Sequence, residues 1–142
     1  MELLHALRSQ GRGVWLLSNA QGIFTRWELD QLGIAPFFDG IYLSSDYGCK
    51  KPDPRFFQVL LRERGINPAQ AVMVGNDGIC DIKGAKGVGL DTVYLRSNIS
   101  PEEPLPHADF VLEKLDLTRV LAFLTGGGEA PAANPEKRDE KQ

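Results

Sequence analysis

Cysteine and histidine are scarce in this chain of 142 residues, since each occurs only twice. Cys49 and Cys80 stand apart, without the paired spacing of zinc ligands, so we expect two reduced thiols and neither a disulfide nor a zinc site. His5 and His107 are equally isolated, and we interpret both as structural or surface residues. This scarcity argues against disulfide-stabilised secreted domains and against zinc enzymes.

Long apolar runs and basic clusters are also missing. The apolar runs are far shorter than the roughly 20 residues that a membrane-spanning helix needs, and the amino terminus lacks the basic start of a signal peptide. The net charge is −3, and no run of Lys and Arg precedes the carboxyl-terminal tail, so nothing marks a surface for nucleic acid or an anionic membrane. We therefore expect a cytoplasmic protein with neither of these partners.

What the chain does contain is an alternation of short apolar runs with segments of helical periodicity. Such alternation is typical of an α/β domain, in which helices cover both faces of a parallel sheet. Strands are predicted at residues 14–18, 40–44, 71–75 and 92–95. Because most of these runs are apolar at consecutive positions, we expect the strands to be buried on both faces.

The clearest of the predicted helices follows the second strand. Asp53 offers an N-cap oxygen, Pro54 suits the first helical position, and Gly65 ends the helix. Its apolar face is expected to comprise Phe56, Phe57, Leu60 and Leu61. Other helices are predicted at residues 2–10, 22–32, 79–86 and 118–124. We expect one domain over residues 1–125 and a disordered tail over residues 126–142, which are rich in Gly, Ala, Pro, Glu and Lys.

Three polar segments have the residue types of a phosphate site. Ser18 and Asn19 follow the first predicted strand, at the sheet edge where parallel sheets bind ligands, and a hydroxyl group with backbone N–H groups there can hold a phosphate oxygen. Taken alone, the pair is more simply explained as the start of a turn.

Lys51 belongs to the second segment, Gly-Cys-Lys-Lys-Pro-Asp-Pro. Pro52 and Pro54 fix two φ angles, so Lys51 sits on a rigid turn. A lysine charge about 4 Å from a phosphate charge contributes roughly 4 kcal/mol at an effective dielectric constant near 20, before desolvation. The alternative is that Lys50 and Lys51 are both solvated surface lysines.

The third segment is an acidic loop from Gly75 to Asp81, directly after the third predicted strand. Asp77 and Asp81 lie four positions apart, and two carboxylates are adequate for Mg²⁺, which also takes waters and substrate phosphate as ligands. The alternative is that Asp77 is a turn residue and Asp81 a first-turn acid favoured by the helix dipole.

In order and spacing, these segments resemble motifs two, three and four of the haloacid dehalogenase (HAD) superfamily, over about residues 11–124. The resemblance implies a Rossmann-like core with a parallel sheet. It implies that Ser18 and the Asn19 amide hold the phosphoryl oxygens and that Lys51 is the catalytic residue that offsets their charge. For magnesium it implies Asp81 together with Asp77, the pair we favour, or with Asn76 when the commonest family spacing is counted.

The resemblance also leaves one motif unmatched. HAD phosphatases attack phosphorus with an aspartate from an Asp-x-Asp motif after the first strand, and the upstream acids Asp30, Asp39 and Asp46 do not form that motif. In the family the first strand is the central one, between the strands predicted at 14–18 and 71–75. We therefore interpret the chain as truncated: the carboxyl-terminal part of a HAD core whose first strand, nucleophile and cap are missing.

The loss of a central strand has a physical consequence. Strands are spaced about 4.8 Å apart, so its two neighbours would lie nearly 10 Å apart with unpaired backbone groups. We expect the isolated chain to aggregate, to self-associate through these strands, or to pair them with each other directly.

Three functions follow from the resemblance. The leading one is Mg²⁺-dependent hydrolysis of a small phosphorylated metabolite through an aspartyl-phosphate, carried out by the complete form. The alternative is a catalytically inactive remnant that binds phosphate or a partner chain, because positioning groups without a nucleophile form no covalent intermediate. A metal-free dehalogenase is disfavoured by the pair Asp77 and Asp81, since halide release needs no magnesium.

Overall fold

The structure is a computed structural model that describes residues 1–97, Ser100, 107–112 and 116–126. The tail expected to be disordered, residues 126–142, lies outside the described residues except for Gly126. Helices and strands alternate as follows: α1 (Glu2–Ser9), β1 (Trp15–Ser18), α2 (Gly22–Gln31), β2 (Gly40–Leu43), α3 (Ser44–Tyr47), α4 (Pro54–Arg64), β3 (Val72–Gly75), a π-helix (Gly78–Lys83), α5 (Gly84–Gly87), β4 (Asp91–Leu95), β5 (Phe110–Leu112) and α6 (Leu117–Thr125). Short 3-10 turns precede β2 (Ala35–Phe37) and β3 (Pro68–Gln70).

The strands form two parallel sheets, one with the order β1-β2 and the other with the order β3-β4-β5. Within the described ranges, β1 and β3 are not hydrogen-bonded to each other. The α/β class with parallel pairing is confirmed. The gap expected in the sheet between the first and third predicted strands is also confirmed, since the strands form two separate sheets. Direct pairing of β1 with β3 does not occur in this part of the chain.

The two sheets share a hydrophobic core. Leu17 of β1, Phe56 and Phe57 of α4 belong to one buried cluster, and Met73 of β3 packs against it. A second cluster, around Val93, lies between the β3-β4-β5 sheet and α6. The first cluster therefore holds β1 and β3 in one body although no backbone hydrogen bond joins them.

Burial of β3 differs from the expectation of strands covered on both faces. Val72 is 37% exposed, and Met73 and Val74 are only half-buried. In the described chain β3 has a neighbouring strand, β4, along one edge only, so solvent reaches its side chains from the other edge.

Helix α4 confirms its sequence signals. The Asp53 carboxylate accepts a hydrogen bond from Arg55 N at 2.9 Å, Pro54 is the first helical residue, and Gly65 ends the helix at φ 62°. Phe56 and Phe57 are at most 1% exposed. Elsewhere the sequence prediction missed α3 and β5, and the helix expected at residues 79–86 is a π-helix followed by the short α5.

In the described part of the chain, the cysteines and histidines join no group of three or more potential metal ligands. Cys49 and Cys80 are free, and His5 and His107 are exposed. Among the described residues, no helix combines the length and apolarity needed to cross a bilayer.

Candidate active site

The three polar segments meet at the carboxyl ends of β1 and β3. Ser18 is the last residue of β1 and Asn19 follows it, Lys51 lies in the loop before α4, and Asp81 lies in the π-helix after β3. Hydrogen bonds join Asn19 to Lys51 and Lys51 to Asp81. The Ser18 side chain is half-buried. Parallel sheets bind ligands at this end of their strands.

Lys51 and Asp81 form a buried ion pair. Lys51 Nζ lies 2.5 Å from Asp81 Oδ1, and the two side chains are 9% and 8% exposed. The adjacent Lys50 is exposed. Lysine is rarely buried unless it is paired, so the alternative of two solvated lysines is wrong for Lys51 and correct for Lys50.

The second oxygen of Asp81 is also occupied. Asp81 Oδ2 accepts hydrogen bonds from Asn76 N at 3.1 Å and Asp77 N at 3.2 Å, which fixes the loop around the carboxylate. Gly75 makes room for it, because a Cβ atom at this position would collide with the Asp81 carboxyl group. The glycine that opens the acidic loop is therefore needed for close approach.

Asp77 has a structural contact of its own. Its Oδ1 accepts hydrogen bonds from Ile79 N at 3.0 Å and Cys80 N at 2.8 Å, so it is the N-cap of the π-helix. Burial, together with the neighbouring Asp77 charge, raises the pKa of the Cys80 thiol. Through Oδ1, Asp77 is therefore a turn residue, as the alternative interpretation held. Its role as a metal ligand stays a prediction.

The acidic loop suits magnesium in its donor chemistry. Asp77 and Asp81 supply carboxylate oxygens, and Mg²⁺ takes one or two carboxylates and completes its shell with waters and substrate phosphate. No group of three or more His, Cys, Asp or Glu side chains gathers in the part of the chain that the structure describes. Asn76 contributes its backbone N–H to Asp81. A bound ion would share Asp81 with Lys51.

Asn19 makes a contact that the sequence did not predict. Its Nδ2 donates to Lys51 O at 2.8 Å, and its Oδ1 accepts from Lys51 N at 2.7 Å. The side chain therefore holds backbone groups, whereas the sequence suggested a phosphate ligand or a turn. No local signal reveals this pairing, since 32 positions separate the two residues.

Comparison with known proteins identifies the family. The model of the haloacid dehalogenase-like hydrolase family matches residues 1–89. The chain belongs to this family. A phosphoserine phosphatase from Thermus thermophilus is 34% identical over 97 residues, which cover 68% of this chain and 39% of the relative. A glyceraldehyde 3-phosphate phosphatase from Methanothermobacter thermautotrophicus is 38% identical over 98 residues, which cover 68% of this chain and 43% of the relative.

Solved structures agree with this assignment. A HAD hydrolase from Bacillus subtilis with magnesium bound superposes with a TM-score of 0.76 at 25% identity, covering 87% of this chain and 53% of that chain. The present chain spans about two-fifths of the length of the two phosphatases named above. Fold and family are shared with these proteins, and magnesium belongs to the Bacillus subtilis structure.

Two of the three upstream acids of this HAD chain, Asp39 and Asp46, already have side-chain partners. Asp39 accepts hydrogen bonds from Val14 N and from Arg8, and these bonds lower the pKa of its carboxyl group. Asp46 pairs with Arg26 on the surface. The expectation that Asp39 is not a nucleophile agrees with this geometry.

Proposed function

We propose that this chain carries the phosphate- and metal-binding part of a Mg²⁺-dependent phosphomonoester hydrolase. The observation that carries the proposal is the buried pair of Lys51 and Asp81 at the carboxyl ends of β1 and β3. The proposal is also supported by relatives that are phosphatases of phosphoserine and of glyceraldehyde 3-phosphate. A lysine held out of water acts more strongly on a phosphoryl group than a solvated one.

Each site residue has a role in this proposal. The Ser18 hydroxyl and the Asn19 N–H donate hydrogen bonds to phosphoryl oxygens, and Lys51 neutralises the charge that develops on them. Asp81 and Asp77 hold magnesium, which when bound polarises the phosphoryl group. Asp81 also keeps the Lys51 ammonium at the site before substrate arrives.

The covalent step needs a free carboxylate, which the site does not contain among the residues that the structure describes. Asp77 and Asp81 hold the loop and, in this proposal, the magnesium ion, so we propose that an aspartate outside residues 1–142 attacks phosphorus. The new bond joins its oxygen to phosphorus while the ester P–O bond breaks, and the leaving alkoxide takes a proton to become the alcohol. Water then displaces the carboxylate from phosphorus and releases inorganic phosphate.

The substrate in this proposal is a small phosphorylated metabolite. An open depression of about 550 Å³ begins two residues after Asn19, at the ends of β1 and β2, which is room for a small molecule. It is lined by Gln21, Gly22, Ile23, Arg26, Ser45 and Asp46. Arg26 and Asp46 pair across its rim and offer both signs of charge to a polar substrate.

The test measures phosphate release by the protein purified from its source, with magnesium and with chelator, over a panel of phosphomonoesters. Lys51→Ala and Asp81→Ala should each lower turnover by at least a hundredfold, as expected when a main electrostatic contact is lost. Lys50→Ala is the matched control and should keep wild-type turnover. Activity that survives Lys51→Ala, or that ignores the chelator, contradicts the proposal.

A second candidate is a phosphate-binding chain without turnover, completed by a partner chain. It is favoured by the ion pairs of Asp39 with Arg8 and of Asp46 with Arg26, because neither carboxylate is free to act as the nucleophile. Calorimetry with inorganic phosphate and magnesium tests it: binding by the 142-residue chain without turnover supports this candidate. Turnover by the purified 142-residue chain rejects it.

We also propose that the chain self-associates through β1 and β3. Each strand has a partner along one edge only among the described residues, and unpaired strand edges are templates for another chain. Light scattering over a range of concentrations should show a mass above that of the monomer. A monodisperse monomer at all concentrations contradicts this proposal.

A cytoplasmic location completes the proposal, with neither nucleic acid nor membrane as a partner. Its support is the two free thiols and the net charge of −3. Cell fractionation tests it, and recovery of the protein from an extracytoplasmic or membrane fraction contradicts it.

A further inference from the structure

The Asn19 side chain holds one residue by both of its backbone groups. Its amide donates to Lys51 O and its carbonyl accepts from Lys51 N, at 2.8 and 2.7 Å. An asparagine amide presents its donor and acceptor in one plane, so two such bonds to one residue fix that residue's position and orientation. Because 32 positions separate the residues, the contact ties the end of β1 to the loop before α4.

This contact lies in a line of hydrogen bonds that crosses the site. Asn19 holds the Lys51 backbone, the Lys51 ammonium contacts Asp81 Oδ1, and Asp81 Oδ2 accepts from the N–H groups of Asn76 and Asp77. A lysine ammonium reaches only as far as its four side-chain carbon atoms allow, so the position of the backbone limits which groups it can contact. Asn19 fixes that position from the end of β1.

A purely local role for Asn19 does not account for these bonds. An asparagine that forms a turn bonds its own backbone about two residues further on. Asn67 does this in the structure, where its Oδ1 accepts from Ala69 N at 3.0 Å. Both polar groups of the Asn19 side chain instead form hydrogen bonds with the Lys51 backbone.

We propose that the Asn19 side chain is a positioning residue, which holds the Lys51 backbone so that the Lys51 ammonium stays buried against Asp81. The effect of Asn19 on phosphate binding rests on the proposed function, whereas its effect on the position of Lys51 does not. The Asn19 side chain then acts through Lys51 and makes no contact with phosphate itself.

The test compares the chemical reactivity of two adjacent amines in the 142-residue chain. Brief treatment with an acylating reagent, followed by tandem mass spectrometry, gives the ratio of Lys51 to Lys50 modification. Lys50 is exposed and serves as the internal reference, while the Lys51 side chain is 9% exposed and should be protected. In Asn19→Ala the ratio should rise about tenfold, the effect of losing one or two ordinary hydrogen bonds on a local opening equilibrium.

Two further variants distinguish loss of the Asn19–Lys51 hydrogen bonds from a general loosening of the fold. Asn67→Ala removes a turn-forming asparagine before β3, at the opposite end of that strand from the site, and should leave the ratio unchanged. Asn19→Asp keeps the acceptor for Lys51 N and loses the donor, so its ratio should lie between those of the wild type and Asn19→Ala. If Asn19→Ala does not fold, as judged by its urea transition, Asn19→Asp decides the question.

An unchanged ratio in the folded Asn19 variants overturns the proposal, and so does an equal rise in Asn67→Ala. Binding of inorganic phosphate gives a second readout. Asn19→Ala combined with Lys51→Ala should bind no more weakly than Lys51→Ala alone, because one residue acts through the other. Additive losses show direct contact of Asn19 with phosphate and overturn the proposal. If the wild type binds no phosphate, the proposed function fails, and the labelling ratio still decides the role of Asn19.

Discussion

Lys51 Nζ lies 2.5 Å from Asp81 Oδ1, and both side chains are less than a tenth exposed. The pair joins the loop before α4 to the π-helix after β3, two segments that lie 30 positions apart in the sequence. Breaking a buried ion pair by removing one partner leaves an uncompensated charge, which is far more costly than removing both.

Asp81→Asn should therefore destabilise the fold by about 3 kcal/mol, although it changes almost no volume. Urea denaturation of the purified chain measures the loss. Lys51→Met combined with Asp81→Asn should be more stable than Asp81→Asn alone, because no unpaired charge remains. Lys50→Met is the surface control and should change stability by less than about 0.5 kcal/mol. A loss below about 1 kcal/mol for Asp81→Asn contradicts the prediction.

The sequence predicted those parts of the fold that local signals determine. Helix α4 begins and ends where Asp53, Pro54 and Gly65 indicate, because capping and proline geometry depend on neighbouring residues alone. Strand β5 was missed because Phe110–Leu112 is only 3 residues long, too short for a periodic pattern. The π-helix was expected as an ordinary helix, since hydrogen-bond register leaves no mark on a six-residue segment.

The sequence singled out residues of the candidate site but not the contacts between them. Ser18, Lys51 and Asp81 could be singled out because each lies at the end of a strand, on a rigid turn or in the loop after a strand. That Asn19 would hold the Lys51 backbone could not be predicted, because the two residues are 32 positions apart and only the folded chain brings them together. The same holds for Lys51 and Asp81, which are 30 positions apart.

Gly75→Ala tests the close packing of the acidic loop. A Cβ atom at residue 75 would overlap the Asp81 carboxyl group, so the variant should be destabilised by about 1 to 3 kcal/mol, as for overpacked cores. Gly87→Ala is the matched control: nothing lies within 4 Å of its added Cβ, and it should be neutral or stabilised by about 0.5 kcal/mol. Urea denaturation measures both, and equal stabilities of the two variants speak against the close approach.

Asp109 should make stability depend on acid pH. Burial alone would raise the pKa of Asp109, but hydrogen bonds from Thr92 N and from Lys86 outweigh it and lower the pKa below its usual value. A lowered pKa means that the unfolded chain takes up protons first, near pH 4, so this stabilisation is complete above about pH 4 and is lost as pH falls through the folded-state pKa.

The wild type should therefore lose melting temperature more steeply than Asp109→Asn between about pH 5 and about pH 2, and the difference between them should shrink towards the acid end. Thermal melts at a series of pH values measure this. Parallel curves for Asp109→Asn and the wild type reject the assignment.

Magnesium affinity should separate the three residues of the acidic loop. In the structure, the Asn76 backbone N–H donates to Asp81, one oxygen of Asp77 caps the π-helix, and both oxygens of Asp81 accept hydrogen bonds. We expect Asp81→Asn to abolish magnesium binding and Asn76→Ala to retain it, because the backbone N–H survives that substitution. Calorimetric titration in the presence of inorganic phosphate, which completes the ligand shell, gives the affinities.

Asp77→Ser is the decisive variant in this series. Serine is as good an N-cap as aspartate, so the hydrogen bonds to Ile79 N and Cys80 N are kept and stability should change by less than about 0.5 kcal/mol. The carboxylate is lost, however, and with it one of the two charges available to the ion, so magnesium affinity should fall at least tenfold. Unchanged affinity in Asp77→Ser, together with a loss in Asn76→Ala, would assign the first metal position to Asn76 and leave Asp77 as a helix cap.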